Sequence, residues 1–137
     1  MLEQSLIEIS KKDDTTCVMT IRQDDYSKAM NDRLSKIQQD LASKYENVAY
    51  PEKIDDYTFN LKHVYGEIAD TYIKNKQKEG VYYIWTTKIL PKVKEIKNTI
   101  EKNENILIMD QHQKNIMYDP DNENVYLLNL MQMQEKL

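Results

Sequence analysis

The chain has 137 residues, of which 40% are hydrophobic and 31% are charged, and its net charge is −4. This apolar content is too high for a disordered chain, and no apolar run is longer than five residues, which excludes a membrane-spanning helix. The length predicts a single compact domain over residues 1–137.

The start of the chain and its cysteine content predict a location. The first ten residues, MLEQSLIEIS, have neither the basic segment nor the long apolar stretch of a signal peptide. Cys17 is the one cysteine, so it cannot form an internal disulfide, and this usage is typical of a reducing compartment. The sequence therefore predicts a cytoplasmic protein without a membrane partner.

The first predicted element is a β-hairpin over residues 5–22. Its first arm contains the run LIEI, its second arm Thr16–Ile21 is rich in β-branched residues, and KKDDT supplies the turn. A helix with Leu2, Leu6 and Ile9 on one face is the alternative. We favour the hairpin because β-branched residues are poor helix formers.

A long amphipathic helix is predicted next. Asp24 or Asp25 can accept hydrogen bonds from its first free backbone N–H groups. The helix ends before Pro51, because a proline disfavours helical geometry at the residue that precedes it. The apolar positions of this helix recur at helical spacing and are Tyr26, Met30, Leu34, Ile37, Leu41 and Tyr45.

A third helix is predicted to begin at Asp55 or Asp56 and to stop at Gly80. Glycine at that place is typical of a left-handed C-terminal stop. Gly66 falls in the middle of this predicted helix, which suggests close packing against a neighbouring element. The predicted apolar stripe consists of Tyr57, Leu61, Val64, Ile68 and Tyr72.

The central segment Val81–Lys102 is predicted to be one helix that is kinked at Pro91 and lies at the centre of the core. In the alternative, residues 81–87 form a strand and the helix begins at Pro91. Six apolar positions in helical register across the proline favour the kinked helix: Tyr82, Trp85, Ile89, Val93, Ile96 and Ile100.

The C-terminal part carries weaker signals. Ile106–Met109 is predicted to be a short buried strand. Ile116–Tyr118 and Val125–Leu130 flank the turn-rich segment DPDNEN, which predicts a second hairpin. A terminal helix over Leu127–Leu137 is the alternative.

These elements predict an α+β fold that is mainly helical. It combines an N-terminal β-hairpin, three amphipathic helices that form the core, and a short C-terminal hairpin or helix. An all-α helical bundle is the alternative fold.

Few residues are candidates for chemistry. Gly66 and Gly80 are the only glycines, which excludes P-loop and Rossmann nucleotide sites, and one cysteine with two histidines cannot build a usual zinc site. His63, Glu67 and Asp70 follow i, i+4, i+7 spacing, which would place an imidazole and two carboxylates on one helical face. They predict a small metal-dependent or acid–base enzyme as one alternative, although a solvated polar face explains the same spacing.

A second polar pair, Asp110 and His112, lies in the segment DQHQKN. A catalytic role requires a third partner that the sequence does not identify, so a hairpin turn is the favoured interpretation. No metal ion or other cofactor is predicted.

Residues 74–102 form a basic segment in an acidic chain, with eight lysines against three glutamates. Positive charge beside aromatic rings predicts association with nucleic acid as a further alternative. The residues predicted to contact a partner are Lys88, Lys92, Lys97, Tyr82 and Tyr83.

Residues 5–42 resemble the start of the ribosome-binding domain of trigger factor, in which a strand, a turn and a strand precede a long amphipathic helix. Lys62–Gly66, KHVYG, resembles a Tyr-Gly in the next helix of that family. The ribosome-contact loop of the family, built on Gly-Phe-Arg, has no counterpart in SKYENVAYPEK at residues 43–53. We assign no family from this partial resemblance.

The leading functional interpretation is a non-enzymatic protein-binding module. A small intracellular adaptor, inhibitor or immunity-type protein would act through an acidic surface and through Tyr- and Met-rich contacts. Ten tyrosines against one phenylalanine suit half-buried interface positions. The expected partner is a protein, with a homo-oligomer as one form of it.

Overall fold

The structure is a computed structural model that describes residues 7–21, 27–108, 112–130 and 134–135. Three α-helices lie in these ranges, namely α1 Ser27–Lys44, α2 Ala69–Lys78 and α3 Leu90–Glu104. A π-helical turn at Trp85–Ile89 leads into α3, and a 3₁₀ turn occupies Gln113–Asn115. The strands are β1 Ile7–Asp13, β2 Thr16–Ile21, β3 Tyr50–Asp55, β4 Thr58–Lys62, β5 Glu67–Ile68, β6 Ile106–Leu107, β7 Ile116–Asp119, β8 Asn124–Leu127 and β9 Gln134–Glu135.

The strands form three antiparallel sheets. The largest has the order β1-β2-β4-β3, the second has the order β5-β7-β8, and β6 pairs with β9. Both predicted hairpins are confirmed, since β1 pairs with β2 and β7 pairs with β8. Within the described residues, no helix has the length and apolar character needed to cross a membrane.

The predicted third helix is wrong over its first half. Residues 50–55 and 58–62 are the strands β3 and β4, and only Ala69–Lys78 is helical. In β4, Phe59 and Leu61 are fully buried while their neighbours are partly exposed, which is the alternation of a strand. Spacings of three and four residues matched a helix only because they span several short elements.

The two glycines of this region have different roles. Gly66 was predicted to lie within a helix, but it follows β4 with a φ of 98°. A Cβ built on it would lie 2.0 Å from the backbone oxygen of Tyr118 in β7, so the two chain segments touch there. Gly80, with a φ of 82°, follows α2 and acts as the predicted stop.

The central segment is helical and continuous through Pro91, as predicted, although the helix begins later. Val81–Tyr83 are not helical, and the strand alternative for residues 81–87 is wrong. The Leu90 N–H donates to the carbonyl of Trp85, which is the wide π-type bond, and Pro91 lies in the first turn of α3. This placement tolerates the missing proline N–H.

The fold is α+β, and the predictions of a mainly helical domain and of an all-α bundle are both wrong. Strands account for a large share of the described chain, and residues 128–130 after β8 are not helical. The terminal-helix alternative therefore fails where the structure describes it. Asp24, Asp25 and Met109, which also carried predictions, lie outside the described residues.

Buried apolar side chains form two clusters. One joins the four-stranded sheet to the β7-β8 hairpin and contains Cys17, Met19, Phe59, Leu61, Met117 and Leu128. The other packs α1, α2 and α3 on the opposite side of that hairpin, with Trp85 and Ile96 partly buried against it; its members include Leu41, Ile73, Ile89, Val93, Ile100 and Leu127.

The thiol of Cys17 is expected to resist modification in the folded protein. It is fully buried, with Sγ 3.9 Å from Sδ of Met117, and burial raises its pKa to about 11. The thiolate is the reactive form, so a disulfide reagent at pH 8 should label the folded chain far more slowly than the chain in denaturant.

The same burial predicts that the free energy of unfolding depends on pH. The raised pKa stabilises the fold fully below about pH 9, and this contribution is lost as the pH rises toward 11. Equal labelling rates with and without denaturant would contradict the burial of this side chain.

Candidate functional site

A cleft of about 600 Å³ lies between the four-stranded sheet and the loops around the β7-β8 hairpin. Its volume lies in the range of small-molecule sites, about 300–1,000 Å³. The residues that line it come from four separate parts of the chain: Ile7, Glu8, Ile9, Ser10, Val18, Thr20, Ile68, Asp70, Thr71, His112, Lys114, Asn115 and Asn129.

The sheet wall of the cleft follows from the alternation of β2. Met19 and Ile21 are buried in the core, so Val18 and Thr20 face the opposite way and line the cleft. Val18 is half-buried and Thr20 is exposed. Val18 makes part of this wall apolar, whereas Ile9 pairs with Met19 and its side chain packs against the core. The wall contains no lysine among its described residues.

The opposite wall is polar and begins with the 3₁₀ turn. Nδ1 of His112 accepts the backbone N–H of Lys114 at 3.3 Å, which caps the turn. The carboxamide of the buried Asn115 lies 3.2 Å from Nε2 of the same ring. Because the Leu128 N–H also donates to the backbone oxygen of Asn115 at 2.9 Å, the turn is tied to the end of β8.

A single glutamine of α1 holds the segment that follows β8. Gln38 is fully buried, and its Nε2 donates to the carbonyls of Ala49 and Leu128 at 3.0 and 3.1 Å. Its Oε1 accepts the Leu130 N–H at 2.8 Å. The bonds to Leu128 and Leu130 hold the backbone on both sides of Asn129, which is 3% exposed and lines the cleft.

The predicted set of His63, Glu67 and Asp70 does not assemble. His63 is an exposed residue after β4, Glu67 lies in β5, and Asp70 lies in the first turn of α2, where it pairs with Lys74 at 3.0 Å. Only Asp70 lines the cleft. Among the residues that the structure describes, no group of three His, Cys, Asp or Glu side chains could hold a metal ion.

The predicted partner-contact residues lie around the start of α3. Tyr82 and Tyr83 are 60% and 78% exposed, and Lys88 is exposed. Lys97 is half-buried, and the ammonium of Lys92 donates to the carbonyl of Glu123. None of the five lines the cleft, and their role in partner binding stays a prediction.

The sequence pointed to part of the cleft. His112 was noted beside Asp110, and the structure places its ring beside Asn115, with Asn129 lining the same cleft. Asp110 itself lies outside the described residues. Thr20 and Gln38 gave no signal in the sequence, because each is an ordinary polar residue of a strand or helix.

Comparisons with known proteins identify the fold. No protein-family model matches the sequence, and no curated protein matches it. A solved structure, the kinase PK-1 of Cydia pomonella granulovirus, is similar, with a TM-score of 0.55 and 12% sequence identity. The match covers 96% of this chain and 52% of the kinase chain, so this chain spans about half its length.

This comparison shows a kinase-like fold and corrects the functional prediction. The similar solved structure is a viral kinase, and this likeness in fold contradicts the interpretation of the chain as a small adaptor, inhibitor or immunity-type binding module. The partial resemblance to trigger factor receives no support, since no family model matches.

Proposed function

We propose that this chain is a kinase-like domain whose cleft binds a nucleoside phosphate. The observation that carries the proposal is that Asn115 and Asn129 meet in one cleft beneath β1 and β2. In protein kinases, a lysine on the strand before helix αC contacts the phosphates of the nucleotide. A loop with Asp and Asn five residues apart and an Asp farther along the chain complete the site. Here β2 precedes α1, and Asp110 precedes Asn115 by five residues.

The chemistry of the two walls suits such a ligand. Val18 presents an apolar side chain against which a base can pack. The Asp70 carboxylate can accept a hydrogen bond from a sugar hydroxyl, while Lys114 and the Asn115 amide can donate to phosphate oxygens. An amphipathic molecule with an apolar ring at one end and an anionic group at the other matches this division.

Magnesium, which the fold family implies, does not fit the described residues. Protein kinases hold it with the loop Asn and with an Asp carboxylate farther along. Asn115 follows Asp110 at the spacing of that loop, and Asn129, farther along the chain in the same cleft, is also a neutral amide. Mg²⁺ binds proteins chiefly through carboxylates and substrate phosphates, and the carboxylates of this cleft, Glu8 and Asp70, come from β1 and α2 rather than from these two positions. Nucleotide binding is therefore expected to be independent of magnesium.

Phosphoryl transfer to a hydroxyl is the second candidate function. The five-residue spacing of Asp110 and Asn115 favours it, because the Asp at this spacing accepts the proton of the substrate hydroxyl in protein kinases. The sequence predicts the opposite, namely that the chain has no enzyme activity, and this stays a prediction. The residues of β2 that line the cleft, Val18 and Thr20, carry no charge, and Asn129 is a neutral amide, which supports the absence of phosphoryl transfer.

Calorimetric titration with ATP in EDTA and in excess Mg²⁺ tests the proposal. We expect the natural chain to bind ATP with affinities that agree within about threefold, a difference below 1 kcal/mol. The Asn129→Asp variant should bind about tenfold more tightly with Mg²⁺ than in EDTA, because it supplies the missing carboxylate. The same samples, given ATP labelled at the γ-phosphate, report any transfer.

The control variant is Asn98→Asp, which makes the same change on the exposed surface of α3. It should behave as the natural chain does. Failure of ATP to bind in either buffer would contradict the proposed function. Equal effects of the two Asp variants would place the nucleotide outside the cleft.

A further inference from the structure

A second cavity, of about 460 Å³, lies between the end of α1, β3 and β8, and it shares no lining residue with the cleft. Four of its eight described lining residues carry aromatic rings, namely Tyr50, His63, Tyr65 and Tyr126. The rings come in two edge-on or tilted pairs. Tyr50 and His63 are 6.5 Å apart, and Tyr65 and Tyr126 are 5.8 Å apart, measured between ring centroids.

The backbone after β4 holds two of these rings in place. His63 adopts a φ of 65°, a left-handed conformation that few residues other than glycine adopt and that concentrates at functional sites. Val64, fully buried, donates its N–H to the carbonyl of Thr15 at 3.1 Å, and Gly66 lies against Tyr118. Tyr65 therefore projects from a fixed segment, although 46% of its surface is exposed.

The charge of the cavity is negative. Glu46 is exposed at its rim, and among the described residues that line the cavity none is a lysine or an arginine. The Glu46 carboxylate also raises the pKa of Tyr126, as a smaller contribution than burial. The face of an aromatic ring attracts cations, so rings and carboxylate favour the same kind of ligand.

We propose that this cavity binds an organic cation with a methylated ammonium group. The rings would surround the methyl groups, whose positive charge is spread over an apolar surface, and Glu46 would supply the counter-charge. A bare ammonium suits the cavity less, because it must lose a strong hydration shell to enter. Free choline and a trimethyl-lysine side chain share this chemistry, and the experiment separates them.

An NMR titration with choline and with its neutral isostere 3,3-dimethylbutan-1-ol tests the charge requirement. We expect choline to bind about tenfold more tightly, because the isostere has the same shape without the charge. A peptide with one trimethyl-lysine is the second arm, and its tighter binding would identify a methylated protein as the source. Equal binding of choline and the isostere, or no binding of any probe, would overturn the proposal.

Two variants locate the site. Tyr65→Leu should weaken choline binding by about threefold to tenfold, whereas Tyr65→Phe keeps the ring and should restore it. Tyr83→Leu, which removes a tyrosine that is 78% exposed and lies outside the cavity, is the matched control. Unchanged affinity in Tyr65→Leu would overturn the assignment. The melting temperatures of all three variants show whether the fold is retained.

Discussion

Replacing Gly66 by alanine is expected to destabilise the fold by about 3 kcal/mol or more. The left-handed backbone costs an L-residue about 1–2 kcal/mol, and forcing an extra carbon into a packed site costs about 1–3 kcal/mol. Here the new Cβ would lie 2.0 Å from the carbonyl oxygen and 2.6 Å from the carbonyl carbon of Tyr118. Both are backbone atoms, so a side-chain rotation cannot relieve the overlap.

The Gly80→Ala variant separates the two causes. Gly80 has a similar φ of 82°, but a Cβ there meets nothing within 4 Å. Only the backbone strain remains, and the expected loss is about 1–2 kcal/mol. Urea denaturation of the two variants measures the difference in the free energy of unfolding. Equal losses would show that Gly66 does not touch β7.

Replacing Gln38 by leucine is expected to lower the free energy of unfolding by about 3–5 kcal/mol, since a buried group left without its hydrogen bond costs about 1–3 kcal/mol. Three backbone groups lose their partner, namely the carbonyls of Ala49 and Leu128 and the N–H of Leu130. The leucine side chain is one atom shorter and recovers part of the apolar packing. The loss of the polar partners dominates.

The neighbouring Gln39→Leu variant is the control for this change. Gln39 is half-buried and makes one hydrogen bond, from Nε2 to the carbonyl of Pro51 at 2.8 Å. Its replacement should cost about 1 kcal/mol or less. If Gln38→Leu destabilised the fold no more than Gln39→Leu, the bonds to residues 128–130 would contribute nothing measurable to the free energy of unfolding. ATP titration of a folded Gln38→Leu sample would then report whether Asn129 keeps its place.

The two stability predictions concern contacts that position the segments lining the cleft. Gly66 brings the segment between β4 and α2 against β7, and Gln38 joins α1 to the chain after β8. Asp70 and Asn129, which line the cleft from opposite sides, are each a few residues from one of these contacts. Loss of either contact should therefore weaken nucleotide binding as well as the fold.

Local patterns in the sequence were sufficient for several elements. β-Branched residues with a polar turn predicted the first hairpin, the turn-rich segment DPDNEN predicted the second, and the repeating apolar positions from Met30 to Leu41 predicted α1. Six positions in register predicted that the helix passes through Pro91, which the π-helical turn at Trp85–Ile89 accommodates. In each of these cases, residues close in the chain also make the contacts that decide the structure.

Residues 55–80 show where prediction from local patterns fails. Leu61, Val64 and Ile68 have a helical spacing, yet Leu61 belongs to β4, Val64 to a loop and Ile68 to β5. Leu61 pairs with Cys17 in β2 and Ile68 pairs with Met117 in β7, and both partners lie far away in the sequence. A periodicity signal holds no information about such partners.

Local sequence patterns were sufficient for the hairpins β1-β2 and β7-β8, for α1 and α3, and for the lack of a glycine-rich phosphate loop within these 137 residues. The sheet order, the cleft and the aromatic cavity depend on the tertiary fold, because each joins residues from distant segments. Gln38 and Leu130 are 92 positions apart, and the hydrogen bond between them is set by packing rather than by either local pattern. Side chains that act together across such distances become visible only when the chain is folded.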